Sequence, residues 1–402
     1  MNAPRRAARR RAPHPAAGPL RIALTALTAA LGLSATALGA VSLRMARTVV
    51  TPAGRIPDIE VVGLDVAAQT VTLSRTPDTV LPGRYGLFTT GTADYLRLGS
   101  VVKEDAATVT RKLLTHVPAD AQLAPAAAFS GWYYDKPDDL QIPYRNALIG
   151  TPVGPCPAWE FPAATDTDVW VIQVHGRGTT RAEALRAVPV FHDLGITSLV
   201  VSYRNDGEAP RSRTGTYALG ATEWRDVDAA IGYARRQGAR RILLMGWSMG
   251  GAICLQTEFS SPHRDVLVGL VLESPVADWR TVLRYQSREL RLPAPVLGFA
   301  QQILGSEWGA VLTRSGSAIP LDRLDAVARA DELRHPVLIL HSDDDGFVPS
   351  DASHALAEAR PDLVTMETFS VARHTKLWNY DQDRWTRAIT EWVRARGLAT
   401  GE

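Results

Sequence analysis

The chain has 402 residues, enough for more than one domain and a large core, and its 46% hydrophobic and 21% charged content excludes disorder. The net charge is only +2, but Arg5, Arg6, Arg9, Arg10, Arg11 and Arg21 all precede the first acidic residue. Without that block the chain is net acidic, so no basic face is left to neutralise phosphates, and a nucleic-acid partner is excluded.

An uncharged run from Ile22 to Leu43 follows the arginines, with the length that spans a bilayer. A basic flank before an apolar run predicts a transmembrane signal anchor over 22–43, with 1–21 as a cytoplasmic tail. The expected placement is therefore single-pass in the cell membrane, with the rest of the chain extracytoplasmic. Ala35 and Ala37 offer an A-x-A cleavage site, so secretion after cleavage is the alternative.

Residues 44–146 read as a linker, carrying Pro52 and Pro57, and a small β-rich domain. Alternating stretches at 59–75 and 95–105, broken by turns such as Pro82-Gly83, predict strands. Residues 129–146 look like a tether into the next unit.

From 147 to 398 the pattern changes to strands alternating with helices. Apolar runs at 169–176, 197–203, 241–247, 266–274, 335–342 and 363–370 predict strands, several of them buried on both faces. Thr180 with Glu183 has the spacing of a capping box that opens a helix. Trp224, Val227, Ile231 and Ala234, and later Trp385, Ile389, Trp392 and Val393, recur at helical spacing. This alternation predicts a mostly parallel sheet with helices on both faces. An apolar insertion at about 276–331 is placed to form a helical lid over the strand ends. Its Leu297 and Phe299 are candidates to line an acyl pocket.

The chemistry-bearing motif is Gly246-Trp247-Ser248-Met249-Gly250-Gly251, a G-x-S-x-G sequence between a predicted strand and a predicted helix. A sharp turn there would expose the Ser248 hydroxyl, and the helix N-terminus would offer free N–H groups to a developing oxyanion. A serine needs a base. His374, after the last strand, has the position for one. The acid should lie in the preceding strand-end loop, where Asp343, Asp344 and Asp345 are candidates and Asp345 has the favoured spacing. Glu273 and Asp278 are weaker alternatives. His341 is placed to support the acid loop. The turn His175-Gly176-Arg177-Gly178 supplies a second candidate oxyanion donor, so the expected pair is the backbone N–H groups of Arg177 and Met249. Tyr203 and Arg204, after another strand, are candidate substrate contacts. Cys156 and Cys254 lack metal-ligand spacing, and Cys254 falls in an apolar helix where a buried free thiol is expected. No metal site and no organic cofactor is indicated.

With these motifs in hand, residues 147 to 398 resemble the α/β-hydrolase superfamily, in the branch similar to prolyl-oligopeptidase-like and serine-aminopeptidase-like hydrolases. The chain also resembles a group of actinobacterial membrane-anchored α/β hydrolases, and its arginine-rich, lysine-poor composition fits a GC-rich genome. The resemblance implies Ser248, Asp345 and His374 as a catalytic triad and the His-Gly-Arg-Gly turn as the oxyanion loop. Ser342 stands where the family usually has glycine after His341, which leaves the acid assignment looser. The resemblance names no substrate; the leading reading of these residues is a carboxylesterase-like hydrolysis of a small-molecule ester or amide through an acyl-enzyme. A serine peptidase is the alternative, and an inactive binding protein or an acyl transferase are further rivals. The resemblance does not reach residues 1 to 146.

Overall fold

The computed structural model describes residues 36–89 and 95–399. Helix α1 occupies residues 36–50. The basic tail and most of the expected anchor, 22–35, lie outside the described residues, as does the Ala35 side of the cleavage site. What is described of the anchor corrects the expectation. The last turns of α1 carry Arg44 and Arg47, while Ala46 and Val50 are fully buried in the core of the α/β unit. The Arg47 guanidinium donates to the Leu312 carbonyl at 2.8 and 2.9 Å. The end of α1, just beyond the expected anchor, is thus packed on protein, while Val41 within the anchor is 40% exposed. Among the described residues no helix is long and apolar enough to cross a membrane, which overturns the single-pass anchor and the membrane placement built on it.

Strands β1 (Ile59–Asp65), β2 (Thr70–Ser74), β3 (Tyr85–Phe88), β4 (Tyr95–Glu104), β5 (Thr108–Leu113) and β6 (Ala126–Ser130) close into a barrel in the order β1-β2-β5-β4-β3-β6. Alternation points Val71 and Leu73, Tyr85 and Leu87, and Leu96 and Leu98 into its core, and closure leaves no sheet edge. Arg111 is also fully buried there. Its guanidinium donates to the carbonyls of Thr79, Leu81, Gly83 and Gly99 at 2.7–3.0 Å. Burial lowers its pKa to about 10, so the cation persists at neutral pH and ties the β2–β3 connection to β4.

The second unit is an eight-stranded sheet of β7 (Arg145–Thr151), β8 (Gly154–Phe161), β9 (Val169–Val174), β10 (Thr197–Val201), β11 (Arg241–Trp247), β12 (Leu267–Glu273), β13 (Val337–Ser342) and β14 (Val364–Phe369), ordered β14-β13-β12-β11-β9-β10-β8-β7. β8 runs antiparallel to both neighbours, and β9 to β14 are parallel. On one face pack α2 (Val188–Asp193) and α10 (Gln382–Arg394). On the other pack α3 (Trp224–Arg236), α4 (Met249–Ser260) and α8 (Asp351–Ala359). Trp385, Ile389, Trp392 and Val393 are the buried stripe of α10, as their spacing requires. The chain leaves β9 in one direction for β10 and returns across it to β11, so the carboxyl ends of β9 and β11 part at a topological switch point. His175 and Ser248 emerge there.

The insertion after β12 forms α5 (Trp279–Glu289), α6 (Ala294–Leu304) and α7 (Glu307–Thr313), and a short α9 (Leu377–Tyr380) precedes α10. On α6 the inward residues Val296, Ala300, Ile303 and Leu304 are buried as helix packing, whereas Phe299 is 47% exposed. Cys156 and Cys254 are both buried free thiols.

Candidate active site

Ser248 sits between β11 and α4 with φ 52° and ψ −116°, a conformation that L-residues rarely adopt. The flanking glycines make this turn possible. A Cβ on Gly246 would come 2.5 Å from the Gly250 carbonyl oxygen, and one on Gly250 would come 2.1 Å from that of Val174. The Ser248 N–H donates to the Glu273 carbonyl at 3.0 Å, tying the turn to β12.

His374 lies between Arg373 (φ 61°) and Thr375 (φ 49°), so its loop reverses sharply back over the sheet. Its Nε2 is 3.1 Å from Ser248 Oγ and its Nδ1 is 2.8 Å from Asp345 Oδ2. Of the three neighbouring aspartates, only Asp345 reaches the imidazole. It is 3% exposed, and its Oδ1 accepts the N–H groups of Phe347 and Val348 at 2.9 and 2.8 Å. Burial alone would raise its pKa, but His374 and His341, whose Nε2 is 3.4 Å from Oδ2, outweigh burial and hold the carboxyl well below its usual range. His341 is locked by Ser353 Oγ and the Val348 carbonyl. Asp343 turns away to Ser350 and His354. Asp344 accepts the N–H groups of Ala372 and Arg373, both at 3.0 Å, and so pins the loop that carries His374. The alternative acids are committed elsewhere. Glu273 accepts the indole N–H groups of Trp247 and Trp385, each at 2.9 Å, and Asp278 caps α5.

The turn after β9 passes directly beside the serine, and a Cβ on Gly176 would lie 3.4 Å from Ser248 Cβ. Thr180 and Glu183 do not form the expected capping box. The following residues, Arg181–Ala187, are a 3₁₀ helix without a side-chain cap. The Glu183 carboxylate instead accepts the Gly176 N–H at 2.8 Å and the Thr179 hydroxyl at 2.9 Å. With Gly176 N–H so engaged, Arg177 N–H is the next amide of the turn, and Met249 N–H belongs to the first turn of α4, where no i−4 carbonyl exists to receive it.

Tyr203 and Arg204 are not brought to the nucleophile. Tyr203 is fully buried, stacks on His175 with ring centroids 4.3 Å apart, and donates its hydroxyl to the Gly176 carbonyl at 2.9 Å. Arg204 is 7% exposed and makes a bidentate pair with Asp226 at 2.6 and 2.8 Å. Both brace the loops under the site, because a strand-end side chain can point into the core as readily as out of it. His175 completes the brace through Asp206 Oδ2 at 3.1 Å. Phe347 packs against His374 with the rings tilted at 39° and centroids 5.2 Å apart. The bracing role of Asp344 had no local signature beyond an acidic residue in a turn, and that of Glu183 only the spacing of a helix cap. Among the described residues no cluster of three or more His, Cys, Asp or Glu side chains could hold a metal ion.

A family model described as the alpha/beta hydrolase family matches residues 171–389, more than half of the chain. Another, described as a domain of unknown function, matches 60–130, the barrel. The uncharacterized protein YqkD of Bacillus subtilis (strain 168) is 25% identical over 236 residues, 58% of this chain and 73% of that one. Among solved structures, the Pyrococcus furiosus esterase Pf2001 is 18% identical with a TM-score of 0.52, covering 65% of this chain and 94% of its own. A puromycin-hydrolyzing peptidase of Mycobacterium tuberculosis is 20% identical with a TM-score of 0.47, over 83% of this chain and 46% of its own.

Proposed function

The chain belongs to the alpha/beta hydrolase family, and on that premise we propose that it is a serine hydrolase, carboxylesterase-like, that cleaves a small-molecule ester or amide through an acyl-enzyme. The observation that carries this reading is the continuous hydrogen-bonded line from Ser248 Oγ through the His374 ring to Asp345, anchored at a strained turn. His374 Nε2 takes the Ser248 proton as Oγ attacks the substrate carbonyl. The negative charge then forms on the carbonyl oxygen, between the N–H groups of Arg177 and Met249. Asp345 fixes the tautomer that leaves Nε2 free to accept and stabilises the imidazolium. His374 next protonates the departing alcohol or amine, leaving Ser248 acylated. Water, deprotonated by the same imidazole, attacks the acyl carbon. The carboxylic acid leaves and Ser248 recovers its proton.

The test is labelling with a fluorophosphonate probe alongside turnover of p-nitrophenyl acetate. The wild type is expected to label and turn over, and Ser248→Ala to do neither. Equal labelling of both proteins would remove Ser248 from the role. A hydrolase-fold binding protein would show neither activity in the wild type.

A further inference from the structure

The end of α1 and the segment that follows it are strapped across the candidate oxyanion loop. Arg177 donates to the carbonyls of Val49 and Thr51, both at 2.9 Å, and also to that of Thr48. The Tyr217 N–H donates to the Val50 carbonyl at 2.8 Å, and Gly178 passes so close that a Cβ there would be 3.3 Å from the Ala53 oxygen. Between this strap, the oxyanion loop and the exit of the barrel lies a cavity of about 560 Å³, lined among others by Arg55, Trp132, Gly178, Thr179, Arg211 and Tyr217. Gly178 is two residues beyond Gly176, a chain distance of at most about 7 Å. Gly176 in turn packs against Ser248, so the Gly178 wall of the cavity lies a short chain distance from the nucleophile, while Ser248 and His374 do not themselves line it.

The charges around this cavity are unbalanced. Arg55 sits over aromatic rings, its guanidinium carbon 3.2 Å from the Phe88 centroid and 4.5 Å from that of Trp132. Burial lowers its pKa to about 10, which still leaves it charged at neutral pH; Glu183, Asp135 and Asp58 act on it from a distance, and among the described residues none forms an ion pair with it. Arg211 is exposed at the rim. Among the described residues the one acidic side chain lining the cavity, Asp206, is already engaged by His175 and by the N–H groups of Glu208 and Ala209. A half-buried guanidinium without a counter-ion is costly, and a carboxylate is the group whose geometry a planar fork matches.

We propose that this cavity is the subsite for the remote end of the substrate, and that Arg55 and Arg211 select a carboxylate there. The proposal rests on the serine-hydrolase reading and names its substrate class: an ester or amide with a second, anionic group several atoms from the scissile bond. The N-terminal strap is then part of the substrate site rather than a mere tether.

Two substrate pairs test it, each a carboxylate against its methyl ester. One is mono-p-nitrophenyl adipate, with the charge on the acyl side. The other is the butanoyl ester of 4-hydroxyphenylacetate, with the charge on the leaving group. The readout is the charged-to-neutral ratio of kcat/KM within each protein, which cancels differences in folded fraction. The wild type is expected to favour the charged member of at least one pair by about tenfold at low ionic strength, and Arg55→Gln and Arg211→Gln each to bring that ratio toward one. Arg75→Gln, an exposed barrel arginine that does not line the cavity and pairs with Glu104, is expected to keep it. A wild-type ratio at or below one in both pairs, or a preference that survives both substitutions, overturns the subsite while the hydrolase reading stands. Absence of turnover of every ester, with no fluorophosphonate labelling, overturns the hydrolase reading instead. Calorimetric binding of monomethyl adipate to Ser248→Ala reads the cavity without turnover. About tenfold weaker binding after adding Arg55→Gln supports the subsite, and unchanged binding overturns it.

Discussion

Replacing Asp345 by Asn should leave the fold intact and abolish most of the activity. In the native site Oδ1 accepts two backbone N–H groups and Oδ2 faces His374 Nδ1 at 2.8 Å. An Asn side chain would keep its carbonyl oxygen on the two N–H donors, because turning it over would set its NH₂ against them. The amide NH₂ then faces Nδ1, which must become an acceptor, and the ring proton moves to Nε2. That proton points at Ser248 Oγ, 3.1 Å away, and the ring can no longer take the serine proton. A wrong tautomer at an otherwise intact site costs on the order of 10⁴ in kcat in comparable triads. The assay is kcat for p-nitrophenyl acetate, with circular dichroism to check folding. Asp343→Asn, whose carboxylate serves Ser350 and His354, is expected to stay within about threefold of wild type. An Asp345→Asn variant within tenfold of wild type, or one surpassed in its loss by Asp343→Asn, would refute this chain of reasoning.

Glu183→Ala should lower kcat by about ten- to a hundredfold with little change in melting temperature, since the Gly176 N–H and the Thr179 hydroxyl lose their common acceptor and the oxyanion loop shifts; steady-state kinetics on the same ester check it. Gly250→Ala should destabilise the protein by about 3 kcal/mol or more, because the added methyl meets the Val174 carbonyl oxygen at 2.1 Å with backbone on both sides; urea unfolding measures it. The Asp345 carboxyl is held below its usual range in the folded state, so the stability it contributes is complete above an unfolded-state pKa of about 3.9 and is lost as pH falls below it. Urea midpoints measured from pH 6 to pH 3 should therefore fall less steeply for Asp345→Asn than for wild type, and parallel curves would contradict the assignment.

The sequence by itself determined the parts of the protein that depend on local pattern. The elbow around Ser248 was legible because only glycine tolerates the backbone crossings at 246 and 250, so the steric demand is written in residue types. The β and α periods from 169 onward were legible because burial on a sheet or a helix face imposes a repeat on neighbouring residues. His374 followed from its place after the last strand. What the sequence could not decide were choices between residues with the same local signature. Asp343, Asp344 and Asp345 are all acidic residues in one turn. Which of them meets an imidazole is decided by a loop about thirty residues away, and Asp344 is spent on holding that loop. Glu183 had the spacing of a cap, but the turn after β9 folded within its reach and offered N–H and hydroxyl donors instead. Tyr203 and Arg204 stood at a strand end, and only the packing of His175 and Asp226 around them turned them inward. The stretch up to Leu43 had the composition of a membrane span. Its continuation in α1 found an apolar surface on the α/β unit, and the Arg177 fork closed on the carbonyls at its end. Hydropathy measures how strongly a segment avoids water, and the tertiary structure alone decides which surface takes it in.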